Sequence, residues 1–398
     1  MKRWLIAGVL LSCITSVLQA KDLFVVGLSV DSAAEVRTPY DNVDDMFDAL
    51  TNEGMQKVVP AYTDMSAASA ALYVRGLPAE ASYAAGSTTL RFRVPSLGID
   101  ESFTGTSRDD SKKLFEDYVK HNGNDILTRM LHELARVSPV DPVAGNPSSL
   151  MAQMGAQDFS VAMSDAGGNG PGGLGTIGLA FQRYSLGGFD TNVTTLPLGY
   201  SFDIGNGYRL QLSTPIYRVD TQDTVSYGGS IGAALRVPLS SAWVLTPALR
   251  FGAVGSADQG AAAGMFSGSL TSRYVWSLGG MDLGMTNQVG MYQSRSVNIG
   301  DYDADYDLSN RSLKNGFDLN GELGDTFLGK GAHWQAWIID TRFYGDELYA
   351  NSWQEYGVAV GTRVQAGQLV YDNLQLGLSY THGENDVSGV KLNVGYRF

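Results

Sequence analysis

From residue 174 to residue 398 the chain alternates apolar and polar positions almost without interruption. Strand side chains point to opposite faces in turn, so a period of two means a strand with one greasy face and one wet face. Twelve such segments can be marked: 174–185, 192–203, 208–218, 225–238, 243–254, 262–276, 281–293, 313–323, 333–345, 354–365, 369–381 and 387–398. Each is of the order of the ~9–11 residues that a tilted strand needs to cross a bilayer. The links near 204–207, 240–241, 279–280, 324–332 and 366–368 are short. The other set is expected to be mostly longer, the longest about 294–312. The pattern predicts a mainly β protein: an antiparallel transmembrane β-barrel of about 12 strands, with short turns at one rim and longer loops at the other.

The faces agree from strand to strand. Tyr208, Leu210, Leu212 and Ile216 share one phase, as do Ile231, Ala233, Leu235 and Val237, and Leu374, Leu376, Leu378 and Tyr380. Aromatic rings on this lipid phase are expected to form two girdles at headgroup level. One would hold Tyr208, Trp243, Tyr274, Trp276, Tyr396 and Phe398. The other would hold Tyr227, Phe251, Phe266, Phe343, Tyr356 and Tyr380. The opposite phase places Arg209, Arg236, Arg250, Arg273, Arg342, Arg363, Lys391 and Arg397 in the lumen, with Asp282, Asp318, Glu322 and Asp340. A basic lumen in a chain of net charge −13 favours anions, unless its charges are paired as filler.

The closing stretch, Val390 to Phe398, keeps Leu392, Val394, Tyr396 and Phe398 on one face. It resembles the C-terminal strand of Gram-negative outer-membrane β-barrel proteins. That resemblance implies that these four residues are an assembly signal for the barrel-assembly machinery. It implies an outer-membrane location among lipid and lipopolysaccharide, and it names no family within the class.

The first 20 residues have a basic start at Lys2 and Arg3, an apolar run from Trp4 to Val17, and a small residue at Ala20. This is the pattern of a signal peptide cut near Ala20. The one cysteine, Cys13, lies within it, and its lipidation is the rival reading. Residues 21–138 mix strand and helix patterns: a strand at 23–30, a helix over 41–58, a strand pair at 71–78 and 87–95 around a loop, and a helical hairpin at 107–121 and 124–137. They predict a small α+β periplasmic or plug domain. With 19 acidic and 12 basic residues, 21–150 carries net −7. Helix 124–137, apolar along one face, is the piece expected to dock in the barrel. Residues 139–173, rich in Pro and Gly, read as a mobile tether.

Chemistry beyond this is sparse. Four histidines and no nucleophile motif leave no catalytic set, and no cofactor is expected. Asp301, Asp303, Asp305 and Asp307 alternate as in a calcium loop, but Tyr306 and Ser312 stand where an EF-hand needs Gly and Glu, so only a weak cation site is expected. The acidic balance argues against nucleic acid. The favoured expectation is a channel for small polar, anionic solutes, gated by the N-terminal domain. The alternatives are a non-conducting barrel anchoring an interaction domain for a periplasmic or secreted partner, an autotransporter-like export conduit, and, third, an outer-membrane hydrolase.

Overall fold

The computed structural model describes residues 22–121, 124–164, 174–299, 302–327, 330–362 and 373–397. The chain is mostly β, with an α+β region preceding a closed twelve-stranded antiparallel barrel.

The N-terminal region is a six-stranded antiparallel sheet ordered β2-β1-β3-β4-β5-β6. Its strands are β1 (Phe24–Val30), β2 (Val36–Tyr40), β3 (Ala68–Val74), β4 (Leu77–Tyr83), β5 (Thr89–Val94) and β6 (Ile99–Thr104). One face buries Phe24, Val26, Leu28, Leu72, Leu77, Ala79 and Phe92. Four helices accompany it: α1 (Val43–Asp48), α2 (Asn52–Val58), α3 (Arg108–His121) and α4 (Asn124–Val137). The single helix expected over 41–58 is two. Thr51 accepts the Gly54 N–H through its side chain and starts a second helix after one broken turn. Arg108 is fully buried beneath the sheet, stacked 4.7 Å from the Tyr83 ring and donating to the Tyr62 hydroxyl at 3.0 Å.

In the barrel, β7 (Leu174–Leu186) is followed by a stave made of β8 (Phe189–Leu196) and β9 (Leu198–Gly205), interrupted at Pro197. The next stave, β10 (Tyr208–Ser213) with β11 (Ile216–Thr221), is interrupted at Thr214-Pro215. Proline cannot donate to the ladder, and each break falls where it would have to. Then come β12 (Thr224–Pro238), β13 (Trp243–Ser256), β14 (Ala261–Leu278) and β15 (Met281–Arg295). A loop carrying the small hairpin β16 (Val297–Ile299) and β17 (Tyr302–Ala304) leads to β18 (Ser309–Phe327), β19 (Lys330–Gly345), β20 (Ser352–Thr362), β21 (Asn373–Gly383) and β22 (Ser388–Arg397). The barrel shuts where β22 pairs with β7, from Ser388↔Ser185 to Arg397↔Thr176. In lipid an open edge would leave backbone groups unpaired at several kcal/mol each, so this seam is obligatory.

We call the end with the connections 206–207, 239–242 and 279–280 the lower rim; β7 starts there and β22 ends there. The upper rim carries 257–260, 296–308, 346–351 and 384–387, but also the two-residue turns 187–188 and 222–223. Loop length therefore alternates less than the sequence pattern implied.

The exterior is apolar. Leu249 is 72% exposed, Met291 63% and Ile231 62%, and Leu212, Val358, Leu378, Val390 and Leu392 face the same way. The aromatic residues Tyr208, Trp243, Trp276, Tyr227, Phe251, Phe266, Tyr356 and Tyr380 are also outside. Phe343 is not. It is buried inside, 5.8 Å from the Tyr292 ring and 5.4 Å from the Trp353 ring. Its neighbours in sequence, Asp340 and Arg342, expected in the lumen, accordingly face outward and pair with each other at 2.9 Å. Trp337, Ile338 and Ile339 are consecutive apolar residues, so local composition does not reveal the phase of β19. The contacts on its two faces do.

Glycine on the inner wall makes room for large side chains. A Cβ on Gly389 would stand 2.2 Å from Tyr184 Cδ1, across the closing seam. Gly389→Leu is expected to push Tyr184 off that seam and cost about 1–3 kcal/mol. The check is the temperature at which the folded, fast-migrating form converts on a gel, which should fall while the unfolded band is unchanged.

Candidate functional site

The lumen contains a helix. Residues 150–164, within the segment expected to be a tether, form α5 (Leu150–Ser164), which packs against β12, β13, β14 and β15. Its sequence, LMAQMGAQDFSVAMS, buries Met151, Met154, Phe159 and Ala162 against the wall, while Gln153, Gln157 and Ser160 recur at helical spacing on the less buried side. Gln and Ser on one side against Ala, Gly and Met on the other give little contrast, so only a weak amphipathic signal marks it. Helix α4, expected in the barrel, stays with the N-terminal sheet and touches the β17 hairpin at the upper rim.

The helix enters from the upper rim. The inner wall is thinned to receive it: a Cβ on Gly252 would meet Leu150 Cδ1 and Met154 Sδ at 2.8 Å, and one on Gly316 would meet Phe159 Cζ at 2.8 Å. On the helix itself Gly155 lies against Tyr292, where a Cβ would come within 2.4 Å of the hydroxyl. Residues 165–173 lie outside the described residues, and β7 then begins at the lower rim.

The one charge on α5, Asp158, meets Arg250. The guanidinium donates from Nε at 2.9 Å and from Nη2 at 2.8 Å to Asp158 Oδ1, and also to the hydroxyls of Ser230 and Ser213. Ser269 donates to Asp158 Oδ2 at 3.0 Å. Both ions are buried, and between them four strands and the helix are tied together. A second pair, Arg273 and Asp318 at 2.6 Å, spans β14 to β18, with Thr286 also accepting from Arg273.

The remaining lumen residues sort as follows. Arg209 is buried and Arg236 donates to the Gly207 carbonyl at the lower rim. Asp282, at the lower rim, accepts from Ser277, and Glu322 is opposite His333 in the register. Lys391 faces inward beside Gln182 and Ser379. Arg363 and Phe398 lie outside the described residues. Arg397 is placed by its backbone pairing alone. Among the described residues, the inward charges the sequence reading missed include Lys314 and Glu355. Glu355 accepts the Trp337 indole N–H at 2.9 Å, and Lys314 lies near Gly155. Lys314 follows from the phase of β18, four residues before Asp318 and on the same face; Glu355 sits beside Tyr356 with no local mark. With Asp158 supplied by the helix, Arg250 and Arg273 are each paired with a carboxylate rather than lining an open path.

The upper rim is sealed by residues 138–149, nearly all buried. They are a compact knot rather than a tether. Asp141 Oδ1 accepts the N–H groups of Val143 and Ala144, Asn146 donates to the Asp141 carbonyl, and Leu150 N–H closes back on Pro142. Asp141 Oδ2 accepts from Arg75 at 3.1 Å and from the Tyr306 hydroxyl at 3.0 Å. Arg75 sits in the β3–β4 turn, Asp141 in the knot and Tyr306 in the barrel loop 296–308. One buried carboxylate thus joins the N-terminal sheet, the linker and the barrel. Burial pushes the Asp141 carboxyl up from its ordinary value, opposed first by the Arg75 charge. Burial, then the Asp141 charge, drives the Tyr306 phenol far above its ordinary value, which keeps it a donor. Further ties are Tyr349 N–H to Ala135 O, Ala350 N–H to Gly145 O, and Val43 N–H to Asp258 O.

Among the described residues no three His, Cys, Asp or Glu are placed to hold a metal. Asp305 accepts the Asp307 N–H in a tight turn; Asp301 lies outside the described residues and Asp303 is placed by its backbone. Leu392, Val394 and Tyr396 occupy one face of β22, where Leu392 pairs with Phe181 and Tyr396 with Ile177.

A closed, antiparallel, even-stranded barrel with an apolar exterior is an outer-membrane type of β-barrel, and this chain has that architecture. No protein-family model matches the chain, and no curated protein does. Similar solved structures include the β domain of the Bordetella autotransporter BrkA, at 14% identity and TM-score 0.45, over 58% of this chain and 99% of that one. The translocator domain of the autotransporter NalP from Neisseria meningitidis aligns at 13% identity and TM-score 0.45, over 62% and 95%. An outer membrane channel from Pseudomonas putida F1 aligns at 15% and 0.39, over 59% and 98%. These are likenesses of barrel shape and say nothing of activity.

Two outcomes follow. Asp158→Leu leaves Arg250 buried without its counter-ion, which costs about 3–5 kcal/mol; thermal unfolding of the purified protein should show the loss, and Asp158→Asn should show a smaller one. Gly155→Leu has no room against Tyr292, so α5 should leave its seat. In planar bilayers the native chain is expected to be closed and this variant to conduct, with both still migrating as folded barrels.

Proposed function

We propose that this protein is a surface-display barrel: a membrane anchor of the Gram-negative outer membrane that holds its N-terminal α+β domain at the external rim, with α5 threaded through the lumen as tether and seal. The observation that carries this reading is the course of the chain. The N-terminal sheet is bound to the upper rim, α5 descends inside the barrel, and the first stave starts at the lower rim. A domain reached only through the lumen lies on the opposite side of the membrane from the barrel's own ends. With the ends periplasmic, as for an even-stranded barrel with its longest described loop at the other rim, the domain is outside. The layout is autotransporter-like: a small N-terminal passenger, a lumenal helix and a twelve-stranded translocator.

Passage of small anions is the weaker reading, because Arg250 and Arg273 are neutralised and the helix fills the lumen between β12 and β15. We assign no catalytic step. The role of the domain is contact with something outside the cell, through a sheet face held by the cross-strand pairs Arg91–Asp100 and Arg93–Glu80. We propose that the barrel-assembly machinery reads the last strand through Leu392, Val394, Tyr396 and Phe398.

The test is topology in living cells. Met65 is 65% exposed on the N-terminal domain. With Cys13 replaced by serine, Met65→Cys should react with a membrane-impermeant maleimide in intact cells, while Ser241→Cys at the lower rim should react only after the outer membrane is opened. The reverse pattern would mean a periplasmic domain and would end the display reading.

A further inference from the structure

The strand register lines up one row of lipid-facing positions across six strands: Ala233, Leu249, Gly268, Met291, Arg311 and Tyr344. The first four are apolar. Two of them, Ala233 and Gly268, are small, so the wall is hollow between its larger neighbours. A groove of about 680 Å³ lies there, walled by Leu249, Phe266 and Met291 and ending at Arg311. From Ala233 to Arg311 the row spans four strand spacings, roughly 19 Å at about 4.8 Å each.

Arg311 is exposed and has no hydrogen bond or ion pair among the described residues. A cation on the outside of a membrane barrel is costly at the midplane and becomes cheap only near an interface. Two more arginines share this edge. Arg295, on β15, lies 5.6 Å from the centre of the Phe266 ring and donates to Gln293, and Arg342, on β19, is two residues from the row at Tyr344 and is paired with Asp340. Beside them runs an outward polar strip in which Asn287 donates to Asn315 and Gln354 donates to Asp340, both at 2.7 Å.

We propose that this groove binds a phosphorylated, acylated glycolipid of the outer leaflet. An acyl chain lies along Ala233, Leu249, Gly268 and Met291. A phosphate sits on Arg311, with Arg295 and Arg342 beside it, and the polar strip faces the sugar hydroxyls. Charge selects an anionic headgroup; Arg311 with Arg295 nearby, and a hydrogen-bonding strip that holds the paired Arg342 and Asp340, fit a phosphorylated sugar better than a single phosphodiester. The leaflet rests on the display reading above, which places the upper rim outside.

The experiment uses the full folded chain in detergent micelles and measures binding of diphosphoryl lipid A, monophosphoryl lipid A and phosphatidylglycerol. Diphosphoryl lipid A should bind most tightly. Arg311→Gln should weaken it by about tenfold, the scale of one lost charge-assisted contact. Gly268→Leu, which fills the groove without touching a charge, should weaken all acylated ligands, and Arg183→Gln on β7, which lines no part of the groove, should change nothing. Folded migration on gels shows that each variant is intact. Equal binding of phosphatidylglycerol, or lipid A binding indifferent to both Arg311→Gln and Gly268→Leu, would overturn the proposal. Maleimide labelling at Met65→Cys decides the orientation separately, so a failed groove and a failed display reading give different results.

Discussion

The whole arrangement depends on one buried charge pair. A helix inside a barrel has no water to turn to, so any ion it carries must find its counter-ion on the wall. Asp158 finds Arg250, and the same guanidinium also engages Ser213 and Ser230 while Ser269 completes the carboxylate. A buried ion pair of this kind is not strong evidence for stability, since desolvation consumes most of its attraction. Its value is positional. Small and apolar contacts alone would let the helix slide or rotate on the wall, and one charge with one complement fixes its depth and its angle.

The rim repeats the device at larger scale. Asp141 takes Arg75 from one side and Tyr306 from the other, so the sheet, the linker and the barrel loop meet at a single carboxylate. Lumen and rim together determine where the N-terminal domain can be. It cannot swing into the barrel, because α5 occupies it, and it cannot drift from the rim without exposing a knot of residues that is nearly all buried.

The barrel was legible in the sequence because its physics is repetitive. Lipid outside and polar contacts inside impose a period of two on every stave, and each of the twelve segments holds a strand among the described residues. The reading failed where two apolar faces meet. Across Trp337, Ile338 and Ile339 the alternation disappears, and Asp340, Arg342 and Phe343 were assigned to the wrong faces. It failed again at 139–164. Pro and Gly describe backbone shape, not burial, so a sealed knot looked like a tether. Helix α5 carries only Gln153, Gln157 and Ser160 on its less buried side, uncharged residues too weakly polar to stand out. Of the lumen residues, Arg250 and Arg273 were readable as inward cations, but their partners were not: Asp158 is 92 residues away from Arg250 in sequence, and Asp318 is 45 from Arg273.

The claim on which the rest stands is that α5 lies inside the barrel in the living membrane. Gly252 on the wall and Met154 on the helix are close enough to report on it, since a Cβ at Gly252 would lie 2.8 Å from Met154 Sδ. Cysteines at both positions, with Cys13 replaced, should oxidise to a bond recovered as one linked peptide pair from outer membranes. Two free thiols that alkylate independently in a folded barrel would place the helix elsewhere and contradict the account.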